Sequence, residues 1–169
     1  KNLKLTKSEI RRIGFPLSDK LIEREMIITN GTIRGAIKAI EQKISFNIAG
    51  GTHHSFSDRG EGFCLLNDQA VSAQNLIKNH NINKILIIDL DVHQGNGTAS
   101  IFESNDKVYT FSMHGAKNYP FKKQKSDLDI PLDDNTDDEL YLNILMKTLP
   151  VLINKVKPNF IFYLSGVDI

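Results

Sequence analysis

An unbroken apolar run, Ile85-Leu86-Ile87-Ile88, leads directly into Asp89-Leu90-Asp91-Val92-His93-Gln94-Gly95-Asn96-Gly97. Such a run is too continuous for a half-wet strand and suits a parallel strand covered on both faces. Charged groups immediately after it are costly unless they are paired or bind a metal. Here two carboxylates and an imidazole fall within five positions. If the backbone stays extended, Asp89, Asp91 and His93 share one side while Leu90 and Val92 take the other. An Asp and a His two apart, at the carboxyl end of a buried strand, can reach one divalent cation. Glycines at 95 and 97 would let the backbone turn tightly around that site. Read alone, Asp-x-His is more often an ordinary strand exit with a capping Asp and a solvated His. The rest of the chain decides against that reading.

A length of 169 residues fits a single domain with a sizeable core. Lys+Arg at 21 nearly balances Asp+Glu at 20, so the net charge of +1 implies neither direct nucleic-acid binding nor a membrane preference. No apolar stretch is long enough to span a bilayer, and no signal peptide is visible. Cys64 is the only cysteine. That rules out an internal disulfide and fits a reducing compartment, the cytoplasm or, in a eukaryote, the nucleus. The chain starts at Lys1 and stops at Ile169, right after a strand-like segment. Residues 1–169 are therefore expected to be a segment of one larger domain.

Taken in order, Thr6-Lys7-Ser8-Glu9 has the form of a capping box before a short helical stretch, Ile10 to Ile13, with Pro16 as a breaker. Ser18 to Lys43 carries apolar residues at helical spacing, with Asn30-Gly31 as a possible interruption. Phe46 to Ala49 reads as a short strand running into Gly50-Gly51-Thr52-His53-His54. Alone, a His pair is more often a surface accident than an active site. The polar loop Ser57-Asp58-Arg59-Gly60-Glu61-Gly62 ends at Phe63, which is either core packing or the wall of a substrate channel. Asn67 to Asn79 reads as a helix, and Thr98 to Glu103 as a shorter one. Val108 to Phe111 is strand-like and ends at Ser112-Met113-His114. Gly115 to Asn135 reads as a long, solvated loop. Thr136-Asp137-Asp138-Glu139 has the form of a second capping box opening a helix that Pro158 stops, and Phe160 to Leu164 is the last strand.

Strands alternating with helices imply an α/β fold with a mainly parallel sheet. In such folds, functional residues gather outside the carboxyl ends of the strands. Three of the four expected strands end in groups able to hold a metal or a proton: His53/His54, Asp89/Asp91/His93 and Asp168.

These motifs resemble the histone deacetylase family, which includes acetoin-utilisation and acetylpolyamine deacetylases. Gly50-Gly51-Thr52-His53-His54, Gly62-Phe63-Cys64, Asp89-Leu90-Asp91-Val92-His93 and Gly166-Val167-Asp168 match in order, from about Ile13 to the end. The Gln94-Gly95-Asn96-Gly97 ending is most similar to the class IV branch and its bacterial relatives. The resemblance implies a three-layer αβα, arginase/deacetylase-like architecture, incomplete in this segment, and a zinc-dependent amidohydrolase acting on acetyl-lysine in histones or other proteins. It implies Asp91, His93 and Asp168 as ligands of one Zn²⁺, a set that also tolerates Fe²⁺. His54 would transfer protons, and His53, hydrogen-bonded to Asp89, would assist it. Asp89 and Ser112, with nearby backbone carbonyls, match a structural K⁺ site. Phe63 and Tyr119 would flank a slot for the acyl-lysine stem, with Gly62 accepting a hydrogen bond from the amide.

The pattern departs from the family at Asn96, where many members place an Asp behind the proton-transfer histidine. An amide orients an imidazole but stabilises its cation less than a carboxylate does. Asn96→Asp is therefore expected to raise the apparent pKa of His54. The family's transition-state tyrosine is expected beyond Ile169, and losing such a donor costs about a hundredfold or more in rate. Other readings are an acetylpolyamine or small-amide deacetylase, an arginase-like binuclear manganese hydrolase, and a non-catalytic acyl-binding module. A two-metal site needs bridging carboxylates. Here Gly95 follows His93 by two, and His53-His54 stand where arginases typically carry an Asp-His pair.

Overall fold

Every residue of strand β1 (Ile85–Asp89) is buried. Its side chains alternate between two separate apolar clusters, as the pleat requires. Ile85 and Ile87 enter one cluster with Ala36, Ala70, Ala73, Leu76, Phe102 and Phe162. Leu86 and Ile88 enter the other with Phe111, Met113, Leu152 and Val156. At roughly 1.5–3 kcal/mol for each large side chain fully buried, these four contribute on the order of the whole net stability of a domain. That is why the run commits the sheet to a covered, parallel arrangement. The computed structural model describes residues 4–166 and 168. Val167, within the last motif, lies outside them.

The first cluster is closed by helices α2 (Asp19–Gln42), α3 (Asp68–Asn79) and α4 (Asn96–Phe102), the second by α5 (Asp138–Val156). Helix α1 (Lys7–Ile13) precedes them. The layers are thus αβα, the expected fold class. Strands β2 (Val108–Gly115), β3 (Leu128–Leu132) and β4 (Phe160–Leu164) complete a parallel four-stranded sheet in the order β3-β2-β1-β4. Successive strands step one way from β1 to β3, and β4 then returns to the opposite side of β1. The strand order therefore reverses between β1 and β4, and ligands of open α/β sheets bind outside the carboxyl ends at such a point.

Several local expectations are corrected. Phe46 to Ala49 is not a strand: Phe46 is 83% and Ile48 104% exposed. The Asn47 amide instead donates to Thr32 Oγ1 at 2.7 Å and to Ile28 O at 3.3 Å on α2, while Asn47 Oδ1 accepts from Ala49 N at 3.2 Å. Side-chain bonds of this kind offer the backbone an alternative to a ladder. Asn30-Gly31 does not interrupt α2, which runs unbroken across it. A Cβ on Gly31 would stand 3.1 Å from Asn47 Nδ2, so the glycine makes room for that tie. The long loop expected at Gly115 to Asn135 contains β3, an edge strand carrying Pro131 and Asp129. Proline and charge are tolerated there because one side of an edge strand is unpaired.

Both sequence capping boxes lie at helix starts, with a difference. Thr6 caps α1 reciprocally with Glu9. In α5 the cap is Asp137, whose carboxylate accepts from Leu140 N at 2.8 Å, while Thr136 donates backwards to Asp133 O. Among the described residues, no helix is long and apolar enough to cross a membrane.

Candidate active site

Asp89 ends β1 only 3% exposed, a position where an unpaired carboxylate is costly. Oδ2 meets His53 Nδ1 at 2.7 Å, and Oδ1 accepts from Asp91 N at 3.1 Å. Asp91 Oδ1 in turn accepts from His93 N at 2.8 Å. Two successive turns, each closed by a carboxylate accepting the amide two residues on, carry the chain off the strand. The backbone does not stay extended, and the three side chains converge through these turns. Nor do Gly95 and Gly97 serve a tight turn. Gly95 has φ −71°, and Gly97 lies within α4. A Cβ on Gly95 would fall 2.3 Å from Asp89 Oδ2, and one on Gly97 2.2 Å from Ser55 O. Gly97 thus lets α4 approach the His54–Ser55 backbone, and Gly95 leaves room for the Asp89 and His53 side chains.

His93 Nδ1 lies 3.0 Å from Asp91 Oδ1 and 3.0 Å from Asp168 Oδ2. Asp168 follows β4, whose Leu164 is the register partner of Asp89, so the reversal in strand order brings it beside the β1 exit. Ligand atoms of Asp91, His93 and Asp168 all lie within 4.8 Å of one another. A tetrahedral ion bonded at about 2.0–2.2 Å needs donors roughly 3.3–3.6 Å apart. The two spacings from His93 are slightly shorter than this, and the Asp91–Asp168 spacing lies within 4.8 Å. Two carboxylates and one imidazole therefore fit a single divalent cation with a coordination position open.

His53 and His54 are buried side by side, their ring centroids 4.1 Å apart. Burial alone would depress the His53 imidazole, but the adjacent Asp89 carboxylate, with Asp91 and Asp168 beyond it, raises its pKa overall. His54 goes the other way. Burial, reinforced by the positive charge favoured on His53, pushes it down to about 3, with only partial opposition from Asn96. His54 Nδ1 meets Asn96 Oδ1 at 2.7 Å. An amide oxygen only accepts, so Nδ1 carries the proton and Nε2 keeps its lone pair. A neutral imidazole with a free Nε2 is suited to take a proton from a substrate or water.

The outer wall comes from a tight turn. Glu61 and Cys64 exchange both backbone hydrogen bonds at 2.9 Å. Gly62 and Phe63 between them have φ +54° and +62°, the pattern of a type I′ hairpin tip. A left-handed phenylalanine is strained. Two bonds to the end of α1 hold the tip, from Phe63 N to Ile13 O at 2.7 Å and from Gly62 N to Arg12 O at 3.2 Å. The Phe63 side chain is 62% exposed and packs edge-on against Phe15, so it is not a core residue. Tyr119 stands edge-on to His54 with centroids 4.9 Å apart. A Cβ at Gly62 would crowd both rings, at 2.9 Å from His54 Cδ2 and 3.0 Å from Tyr119 Cε1.

Ser112 is the register partner of Asp89 across β1 and β2, and its Oγ pairs with His114 Nδ1 at 2.9 Å. Glu61 is a site residue that sequence reasoning missed. Its Oε1 accepts from Asn96 Nδ2 at 3.0 Å and from the Tyr119 hydroxyl at 3.0 Å. Together with burial, this bond pushes the Tyr119 phenol up to about 12. Within Arg59-Gly60-Glu61-Gly62, Glu61 reads as loop polarity, and only the tertiary fold brings it behind His54.

The histone deacetylase domain profile matches residues 2–169. An uncharacterized protein of Picosynechococcus sp. is 47% identical over 164 residues, covering 97% of this chain and 55% of its own. The acetoin utilization protein AcuC of Staphylococcus xylosus is 29% identical, covering 98% of this chain and 48% of its own. The crystal structure of an HDAC homolog from Aquifex aeolicus superposes with a TM-score of 0.78 at 25% identity, over 94% of this chain and 52% of that one. The chain thus spans about half the length of the relatives it matches.

Proposed function

This chain belongs to the histone deacetylase family, and from that premise we propose that the whole protein is a zinc-dependent amidohydrolase removing acetyl or related acyl groups from lysine side chains. The observation that carries this reading is the convergence of Asp91, His93 and Asp168 beside the buried imidazoles of His53 and His54. Zn²⁺ suits two carboxylates and an imidazole, and Fe²⁺ is compatible with the same donors. When bound, the cation supplies Lewis acidity, polarising the amide carbonyl and acidifying water.

The chain's own groups divide the remaining work. His54, neutral near pH 7 because burial holds its pKa near 3, receives the proton of the attacking water at Nε2 and returns it to the departing amine. His53, held towards its cationic form by Asp89, places positive charge where the carbonyl oxygen becomes negative. Phe63 and Tyr119 flank the slot for the acyl-lysine stem, and the Gly62 carbonyl accepts from the substrate amide. Asp89 and Ser112, with backbone carbonyls near Asp91, His93 and Met113, are the groups that would hold a structural potassium ion.

The test is hydrolysis of acetyl-lysine peptides by the full-length protein, with chelator and metal-restored controls and acetylpolyamines in parallel. The reading predicts peptide deacetylation that chelation abolishes and a divalent cation restores. Chelator-resistant turnover, or turnover of acetylpolyamines alone, would contradict it.

A further inference from the structure

We propose that Glu61 is a positioning residue for His54. It acts through Asn96 as a carboxylate displaced outward by one amide, and it fixes which nitrogen of His54 carries the proton. This rests on the role given to His54 above. The chain of contacts is His54 Nδ1 to Asn96 Oδ1 at 2.7 Å, then Asn96 Nδ2 to Glu61 Oε1 at 3.0 Å. An amide side chain can turn over by 180° at little intrinsic cost, exchanging its oxygen and nitrogen. Turned over, Asn96 would present its NH₂ to His54 Nδ1, which could then only accept. The imidazole proton would move to Nε2 and remove the lone pair that faces the reaction.

Glu61 blocks that exchange. A carboxylate only accepts, so a turned Asn96 would set oxygen against oxygen at hydrogen-bond distance. Asn96 is 1% exposed, and no solvent relieves the clash. Glu61 is itself held on three sides. Its backbone closes the turn to Cys64 at 2.9 Å. Its Oε2 receives Arg59 Nε at 3.4 Å, and its Oε1 also receives the Tyr119 hydroxyl at 3.0 Å. One oxygen atom therefore joins the histidine relay to the wall of the slot. The negative charge that a directly placed Asp would supply is still present, one residue further out.

The geometry predicts a reciprocal exchange. Asn96→Asp alone faces two carboxylates across 3.0 Å. Adding Glu61→Gln restores a donor opposite the new acceptor, so the double variant recovers what the single one loses. Glu61→Ala, with no acceptor, frees Asn96 to turn.

The experiment uses the full-length protein, with side-chain ¹⁵N NMR of labelled histidines, thermal unfolding, and kcat and KM on an acetyl-lysine peptide. Wild type is expected to show His54 with the proton on Nδ1, and Glu61→Ala a mixture of the two tautomers. Its kcat is expected to fall about 10- to 100-fold, the usual cost of an outer orienting partner, with a smaller change in KM. Asn96→Asp is expected to lower Tm and kcat, Glu61→Gln/Asn96→Asp to regain both, and Glu61→Gln alone to lose less than Glu61→Ala. An unchanged tautomer signal in Glu61→Ala, or a double variant no better than Asn96→Asp, would overturn the proposal. If the tautomer and Tm respond as expected but wild type turns over no acyl-lysine, the positioning role stands and the deacetylase reading fails.

Discussion

His53 Nδ1 lies 2.7 Å from Asp89 Oδ2 with both side chains buried, joining the segment that carries the imidazole pair to the last residue of the central strand. The same carboxylate accepts from Asp91 N and so sets the turn that presents the candidate ligands. One buried group thereby ties the histidine pair to the turn that carries Asp91 and His93.

Asp89→Asn keeps the shape and removes the charge. A buried hydrogen bond to a charged group contributes about 1.5–3 kcal/mol. The variant is expected to lose about that much in denaturant unfolding, with an unchanged m-value. A loss below about 0.5 kcal/mol would show that the pair contributes little to the fold.

Gly97→Ala sets two effects of opposite sign against each other. Alanine improves helix propensity by about 1 kcal/mol over glycine. Its Cβ, however, would stand 2.2 Å from Ser55 O and 2.6 Å from His54 C, both backbone atoms that cannot swing aside. Overpacking against a rigid neighbour costs about 1–3 kcal/mol or more, so net destabilisation is expected in thermal unfolding. A neutral or stabilised variant would mean that α4 moves freely relative to the His53–Ser55 segment.

How much of this was legible beforehand depends on the range of the interaction. The run at Ile85 to Ile88 announces a doubly covered strand because its burial is local and unbroken. The Asp89–His93 cluster and the His pair are legible as chemistry because costly groups follow a buried strand. The strand expected at Phe46 failed because Asn47 binds α2, a partner more than ten residues away. Strand β3 was hidden because Pro131 and Asp129 look like loop chemistry and are permitted only by its edge position. Glu61 was invisible for the same reason: nothing near it in sequence marks a contact with Asn96, 35 residues on.

Cys64 gives a pH prediction. Burial, the largest influence, pushes its thiol up to about 12. A thiol whose folded pKa is raised contributes stability that is present below its unfolded pKa and is lost as pH rises above it. Stability should therefore decline from about pH 9 upward, and less so in Cys64→Ser. At pH 8 the folded thiolate fraction is on the order of 10⁻⁴, against about a quarter for a free cysteine. Alkylation of the native protein should be at least about 100-fold slower than in urea. Comparable rates would contradict the burial of this side chain.

The proposed function requires one cation held by Asp91, His93 and Asp168 at the reversal point between β1 and β4. Elemental analysis of the purified full-length protein, beside His93→Ala, tests it most directly. His93 is only partly buried, so its removal should leave the fold intact. One equivalent of a divalent transition metal is expected in wild type, with most of it lost in the variant. Two equivalents in wild type, or the same content in His93→Ala, would contradict it.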